Sequence, residues 1–316
     1  MMKKNKKLII SVLSLGLLLL VSACGNTDSQ VEENGKLKVV TTFYPMYDFT
    51  KNIVQDKADV SLLIPAGTEP HDFEPSAKMV ASIENADIFI YNSEEMETWV
   101  PSTLEAVDTR KVTIINASKG IEFIENIDSE DENHEDVGED HQHSVDPHVW
   151  LNPMLAKAEV KNIQTGLAKV DQENASFYQK NAKEYNEKLD QLDQEFKTAF
   201  KNAKNRTFVT QHAAFAYLAK QYNLTQVSIS GLSSETEPSP SKLAELSKYA
   251  KENDVRYIYF ENNTSSKIAE TLAAEANIEL AVLDPIEGVT KKEQEVGTDY
   301  IQVMKNNLES LKKSIQ

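Results

Sequence analysis

Four of the six histidines in this 316-residue chain lie in one acidic stretch, "EDENHEDVGEDHQHSVDPHVWLNP", from Glu130 to Pro153. The same stretch carries eight carboxylates and, towards its C-terminal end, a tryptophan, an asparagine and two prolines. Imidazole and carboxylate groups are ligands of borderline divalent metals such as Zn²⁺. Two interpretations are therefore open: the stretch is a solvated acidic loop, or it binds metal, and each can hold for a different part of it.

Three histidines occupy equivalent places in the sequence pattern. Each follows a predicted β-strand: His71 after strand 58–64, His148 after strand 111–115 and the acidic loop, and His212 after strand 206–210. Open parallel sheets bind ligands beyond the carboxyl ends of their strands, so we expect the three rings to face a common cleft. Three imidazoles favour Zn²⁺ and need a fourth ligand to complete a tetrahedron. Glu69 and Asp72 flank His71 and are predicted to orient its ring.

The fourth ligand is expected to be a carboxylate from the C-terminal half. Glu287 is the first candidate and Asp284 the second, because "LDPIEG" follows the last predicted strand. Glu261 is the third, since it follows another strand and has an alternative role in capping or supporting the next helix. These residues leave the choice of carboxylate open.

Apolar runs that alternate with helix-like stretches predict an α/β fold. Eight runs are typical of short buried strands: 37–43, 58–64, 87–91, 111–115, 206–210, 225–230, 255–260 and 279–284. Helices are predicted between or after them at 45–55, 76–86, 94–107, 213–222, 239–253, 265–276 and 298–315. Two such βα blocks predict two parallel-sheet lobes, at 37–173 with the acidic His-rich loop 125–147, and at 205–316.

The segment between the blocks contains no glycine or proline from Leu167 to Ser230. Apolar residues at three- and four-residue intervals predict a helix over 174–204, roughly 45 Å long at 1.5 Å per residue. Because this helix lies between the two blocks, we expect a rigid helix that joins the lobes. The alternative is an ordinary amphipathic helix in a bundle.

The N-terminus has the features of a lipoprotein signal. Residues 1–23 combine a lysine-rich start with an apolar core, "LIISVLSLGLLLL", that is shorter than the about 20 residues of a transmembrane span. "VSAC" then ends at Cys24, the only cysteine, and resembles a bacterial lipobox. We expect Cys24 to be lipidated, with more than one acyl chain because a single chain anchors only marginally. The polar residues 24–36 are typical of a flexible tether.

Charge and cysteine content limit the possible functions. The formal net charge is −17 and becomes −21 without residues 1–23, which carry four lysines and no acids. Such an acidic chain argues against a nucleic-acid partner, which would need a basic face. An anionic membrane surface would also repel so acidic a chain, so we expect the lipid to be the anchor. With one cysteine, intramolecular disulfides and thiolate metal sites are excluded.

Five phrases in order give the sequence a specific resemblance: "TTFYPMYDF", "GTEPHDFEPS", "DPHVWLNP", "TQHAAFAYLAKQYNL" and "GLSSETEPSPSKLAEL". Together they resemble the zinc-specific metal-binding receptors of bacterial ABC importers, and the match runs from Leu37 to the end. The resemblance implies a lipid-anchored, extracytoplasmic, monomeric receptor that is not an enzyme. It also implies delivery of Zn²⁺ to an ABC permease driven by a cytoplasmic ATPase.

The same resemblance implies the ligand set His71, His148, His212 and Glu287, held between the lobes. Manganese-type relatives replace the third histidine with a carboxylate, whereas "TQHAAF" keeps histidine and points to zinc. It also implies a mobile acidic loop beside the site. In that loop His134, His141 and His143 are predicted to collect Zn²⁺ weakly, with a merely solvated insert as the alternative.

Two other classes of function use three histidines. A secreted zinc hydrolase needs an open coordination position, which Glu287 would occupy, and no H-E-x-x-H motif is present. A scaffold or adhesin with structural zinc would unfold in chelator, whereas a receptor with two independent lobe cores stays folded without metal.

Overall fold

The N-terminal lobe is built on one sheet of four parallel strands. A computed structural model describes residues 35–125, 145–232, 239–261, 265–290, 292–293 and 296–316. The first elements are β1 (Leu37–Thr41), α1 (Tyr44–Val54), β2 (Ala58–Leu62), α2 (Ala77–Glu84), β3 (Ile88–Tyr91), α3 (Val100–Ala106) and β4 (Thr113–Asn116). The strand order in the sheet is β2-β1-β3-β4. All four residues of β3 are buried, as expected of an inner strand in a sheet that is covered on both faces.

The predicted helix 94–107 is helical only from Val100. Before that point the Glu97 side chain is fully buried and accepts hydrogen bonds from the backbone N–H groups of Asn92 (2.9 Å) and Ser93 (3.0 Å). These bonds hold the chain in a turn, so the helix begins six residues later than predicted.

An antiparallel pair of short strands and two long helices follow the first sheet, and the second helix joins the lobes. They are β5 (Ile124–Glu125), β6 (Val145–Asp146), α4 (Pro153–Val170) and α5 (Ala175–Phe200), with a 3₁₀ turn at Val149–Leu151. β5 and β6 are antiparallel, and the loop between them, with His134, His141 and His143, lies outside the described residues. Residues 1–34, which contain the predicted signal and most of the tether, lie outside them as well.

The C-terminal lobe repeats the arrangement with a second sheet of four parallel strands. Its elements are β7 (Thr207–Thr210), α6 (Ala216–Gln221), β8 (Thr225–Ser228), α7 (Pro240–Glu252), β9 (Tyr257–Phe260), α8 (Lys267–Ala276), β10 (Glu279–Val282) and α9 (Tyr300–Leu311). The strand order in this sheet is β10-β9-β7-β8. The predicted α/β class with two parallel-sheet lobes is confirmed.

Helix α5 lies within the predicted linking segment 174–204 and contacts both lobes. On the N-terminal side, the Tyr185 hydroxyl donates to Asp48 Oδ2 at 2.8 Å. On the C-terminal side, Phe196 stacks on Tyr222 with ring centroids 4.8 Å apart. At 26 residues the helix is about 39 Å long. One hydrophobic cluster runs from the first sheet across α5 into the second, so the lobes share a core and the expectation of two independent lobe cores is wrong.

Within the part of the chain that the structure describes, no helix combines the length and apolar character needed to cross a bilayer. The predicted boundaries of the signal, tether and lobes remain predictions.

Candidate metal centre

Three of the four predicted ligands follow the carboxyl ends of parallel strands, and the fourth, His148, follows a strand of the antiparallel pair. His71 lies in the turns after β2, and His148 follows β6 and precedes the 3₁₀ turn. His212 comes two residues after β7, and Glu287 follows β10. The carboxyl ends of β2, β7 and β10 and the C-terminal end of β6 thus bring four chain segments together.

The ligand atoms lie close together. His148 Nε2 is 3.1 Å from His71 Nε2 and 3.0 Å from Glu287 Oε1. Glu287 Oε1 is also 3.5 Å from the Nε2 atoms of both His71 and His212, and one ligand atom from each of the four residues lies within 4.8 Å of the others. Donors about 2.05 Å from a tetrahedral ion are separated by about 3.3 Å, so the cluster has the dimensions of a zinc site.

The cluster is shielded from water. His148 and His212 are fully buried, Glu287 is 5% exposed, and the His71 side chain is 11% exposed. His212 Nε2 has no hydrogen-bond partner among the described residues. A buried nitrogen with no partner is costly in a folded protein, and a metal ion would accept its lone pair.

Two further carboxylates hold the outer nitrogens of the rings. Asp146 Oδ1 is 2.7 Å from His148 Nδ1 and also accepts the His148 backbone N–H at 2.9 Å. Glu261 Oε1 forms a short hydrogen bond with His212 Nδ1. A carboxylate at Nδ1 keeps the proton there, so that Nε2 is free to coordinate metal.

Burial and charge act in opposite directions on the titrating groups. Burial alone would lower the pKa of His148, but Asp146 and Glu287 outweigh it and raise that pKa. The pKa of His212 is raised well above its ordinary value, because Glu261 and Glu287 outweigh the effect of burial. Burial raises the pKa of Glu287, but its interactions with the three histidines hold that pKa well below its usual range. Protons and a divalent cation therefore compete for the same rings.

The other predicted residues lie near the cluster in different roles. Asp284 turns away and accepts the backbone N–H of Ile286 at 2.7 Å, while burial raises its pKa to about 7. Glu69 accepts the backbone N–H of His71 at 3.2 Å, and Asp72 is exposed. Glu261 contacts the ring of His212.

Asp146 was not among the predicted site residues. The only local signal is its position two residues before His148 in "DPH", which lets one carboxylate reach both the ring and the backbone of the histidine. The role of Asp146 becomes visible only from the conformation of the turn between Asp146 and His148.

Two parallel-sheet lobes around a buried cluster of three histidines and one carboxylate define the class, a two-lobed solute receptor whose cleft suits a metal ion. The family model described as ZnuA, "Zinc-uptake complex component A periplasmic", matches residues 39–314, and the chain belongs to this family.

Known relatives agree with this assignment. The chain is 52% identical over 300 residues to the high-affinity zinc uptake system protein ZnuA of Bacillus subtilis (strain 168), covering 94% of each chain. It is 47% identical to the zinc-binding lipoprotein AdcA of Streptococcus pneumoniae (strain ATCC BAA-255 / R6), covering 98% of this chain and 61% of AdcA. The Zn(II)-bound ZnuA-like domain of S. pneumoniae AdcA superposes with a TM-score of 0.77 at 46% identity, covering 89% of this chain and 99% of that domain.

Proposed function

We propose that this protein is an extracytoplasmic receptor that captures Zn²⁺ and delivers it to an ABC permease powered by a cytoplasmic ATPase. The observation that carries the proposal is the buried cluster of His71, His148, His212 and Glu287, whose spacing fits a tetrahedral ion. The names of the zinc-uptake relatives support zinc as the cargo.

Binding without catalysis is the role that the site supports. Catalytic zinc sites keep one position open for water, whereas four protein donors here leave none. His148 and His212 are also fully buried, which keeps bulk water from the proposed ion. Selective binding and release are therefore the chemistry of the cleft.

The proposal places the receptor at the outer face of the cell membrane as a monomer, anchored through lipidated Cys24. The lipobox-like "VSAC" supports this placement, and a relative described as a lipoprotein agrees with it. The loop histidines His134, His141 and His143 are proposed to bind Zn²⁺ only weakly, outside the primary site.

Elemental analysis by mass spectrometry tests the proposal on residues 25–316, purified without added metal. About one zinc per chain is expected in the parent. Little zinc is expected in His212→Ala, which loses a fully buried ligand. A parent without metal after a soak in dilute zinc would refute the proposed function.

The division between the primary site and the loop needs a second measurement. Competition titration with a chelating dye should show a strong loss of zinc affinity in His148→Ala and little change when residues 125–143 are deleted. Equal losses would contradict the division.

A further inference from the structure

The backbone that carries Glu287 contains an unusual conformation. Ile286, the preceding residue, has a φ of 60° and is fully buried. A β-branched residue in the left-handed region is an outlier, because its side chain crowds the backbone there. Such conformations persist only where surrounding contacts enforce them. The contacts around Ile286 therefore indicate what the strain serves.

On the C-terminal lobe, the segment Asp284–Glu287 is fixed through Asp284. The backbone N–H of Asp284 donates to Asn307 Oδ1 at 2.8 Å, and Asn307 Nδ2 donates to the Asp284 carbonyl at 2.6 Å. The Asp284 carboxylate in turn accepts the Ile286 backbone N–H at 2.7 Å. One end of the strained segment is thus tied to helix α9.

On the opposite side of the cleft, Trp150 holds the same segment. Its indole N–H donates to the Pro285 carbonyl at 2.7 Å, and its own carbonyl accepts the Tyr300 hydroxyl at 2.5 Å. Trp150 is fully buried and its ring lies 5.2 Å from that of His148. The N-terminal lobe therefore contacts the carbonyl immediately before Ile286.

We propose that Trp150 is a positioning residue that holds Ile286 in its strained conformation, and that relaxation at Ile286 withdraws Glu287 and releases the metal. The proposal rests on the proposed function, since Glu287 is taken as a ligand. Glu287 lies close to all three histidines, with its Oε1 atom 3.0 to 3.5 Å from the Nε2 atom of each. A small backbone rotation at Ile286 opens the site without separating two lobes that share a core.

Two matched pairs of variants test this. Trp150→Phe removes the indole N–H donor, and Trp99→Phe removes a second buried indole, whose Nε1 has no hydrogen-bond partner among the described residues. Ile286→Gly and Ile286→Ala both remove the buried side chain, but only glycine adopts positive φ without strain. Zinc release into an excess of a chelating dye is followed by stopped flow, with thermal melts as a check on folding.

Zinc dissociation is expected to be about threefold to tenfold faster in Trp150→Phe than in Trp99→Phe, the factor that one lost hydrogen bond makes. Ile286→Gly is expected to bind zinc about tenfold more tightly than Ile286→Ala, because alanine retains the left-handed strain. If the Ile286 variants do not fold, the tryptophan pair decides.

Each failure points to a different step. Suppose that the parent binds zinc, that the two tryptophan variants release it at equal rates, and that the two Ile286 variants bind it with equal affinity. That result would overturn the positioning role of Trp150 and leave the proposed function standing. A parent that holds no zinc refutes the proposed function and this proposal with it.

Discussion

The carboxylate of Asp146 should matter for zinc affinity although it is not a proposed ligand. It contacts His148 at both Nδ1 (2.7 Å) and the backbone nitrogen (2.9 Å), and it is 2% exposed. Losing such an outer partner typically costs 10–100-fold in metal affinity. Asn keeps an acceptor oxygen but loses the charge, so we expect Asp146→Asn to weaken zinc binding about tenfold, or about 1.4 kcal/mol.

The pH dependence of this loss follows from the raised pKa of His148. A proton on His148 stabilises the metal-free protein fully below the unfolded pKa of about 6.5, and that stabilisation is lost as the pH rises through the folded pKa. Zinc must displace the proton, so the affinity of the parent falls on acidification. Without the Asp146 charge the pKa of His148 is lower, so acidification reduces the zinc affinity of the variant less than that of the parent. The difference in zinc affinity between parent and variant therefore becomes smaller towards pH 6.

Competition titrations at pH 6 and 7.5 measure both effects. Asp72→Asn is the matched control, because Asp72 neighbours His71 in sequence but is exposed. An equal loss in the control, or a gap that widens at pH 6, would show that the contact of Asp146 with His148 does not act in this way.

Three further outcomes are expected. Zinc at 100 times its dissociation constant should stabilise the parent by about 2.7 kcal/mol, and Glu287→Ala should lose most of this stabilisation in thermal melts. Burial raises the pKa of Glu159 well above its usual value, so its contribution to stability is present at pH 5 and lost as the pH rises. Glu159→Gln should therefore have the same melting temperature as the parent at pH 5 and a higher one at pH 9. A melting temperature below that of the parent at pH 9 would contradict this reasoning. Asp193→Ala in α5 should cost about 2 kcal/mol in chemical denaturation, because Asp193 is buried against Lys197. The exposed Lys180→Ala should change stability by less than about 0.5 kcal/mol.

The strands and the convergence of the predicted ligands followed from local sequence signals. Each of the eight predicted strands overlaps an observed one, because short apolar runs bounded by polar turns leave few other structures. The rule that parallel sheets bind at their carboxyl edges predicted that the three histidines would face one cleft with a carboxylate from the C-terminal half. The choice of Glu287 over Asp284 and Glu261 came from the resemblance to the receptor family.

The role of Glu261 required information that a sequence does not carry. β9 pairs directly with β7, with Thr210 opposite Tyr259, which brings the residues after both strands together. A βα repeat does not specify this strand order, so His212 and Glu261 could not be paired in advance. Ile286 is harder still, since a β-branched residue is among the least expected at positive φ.

The large separations of the ligands along the chain affect how the protein acquires its metal. His71 and His148 are 77 residues apart, and His148 and Glu287 are 139 apart. In an unfolded polypeptide these four side chains form no chelating unit, because closing such long loops is entropically costly. Folding must therefore come before metallation at this site. A prefolded cavity, and not the competition of metals for a nascent chain, then decides which ion is accepted.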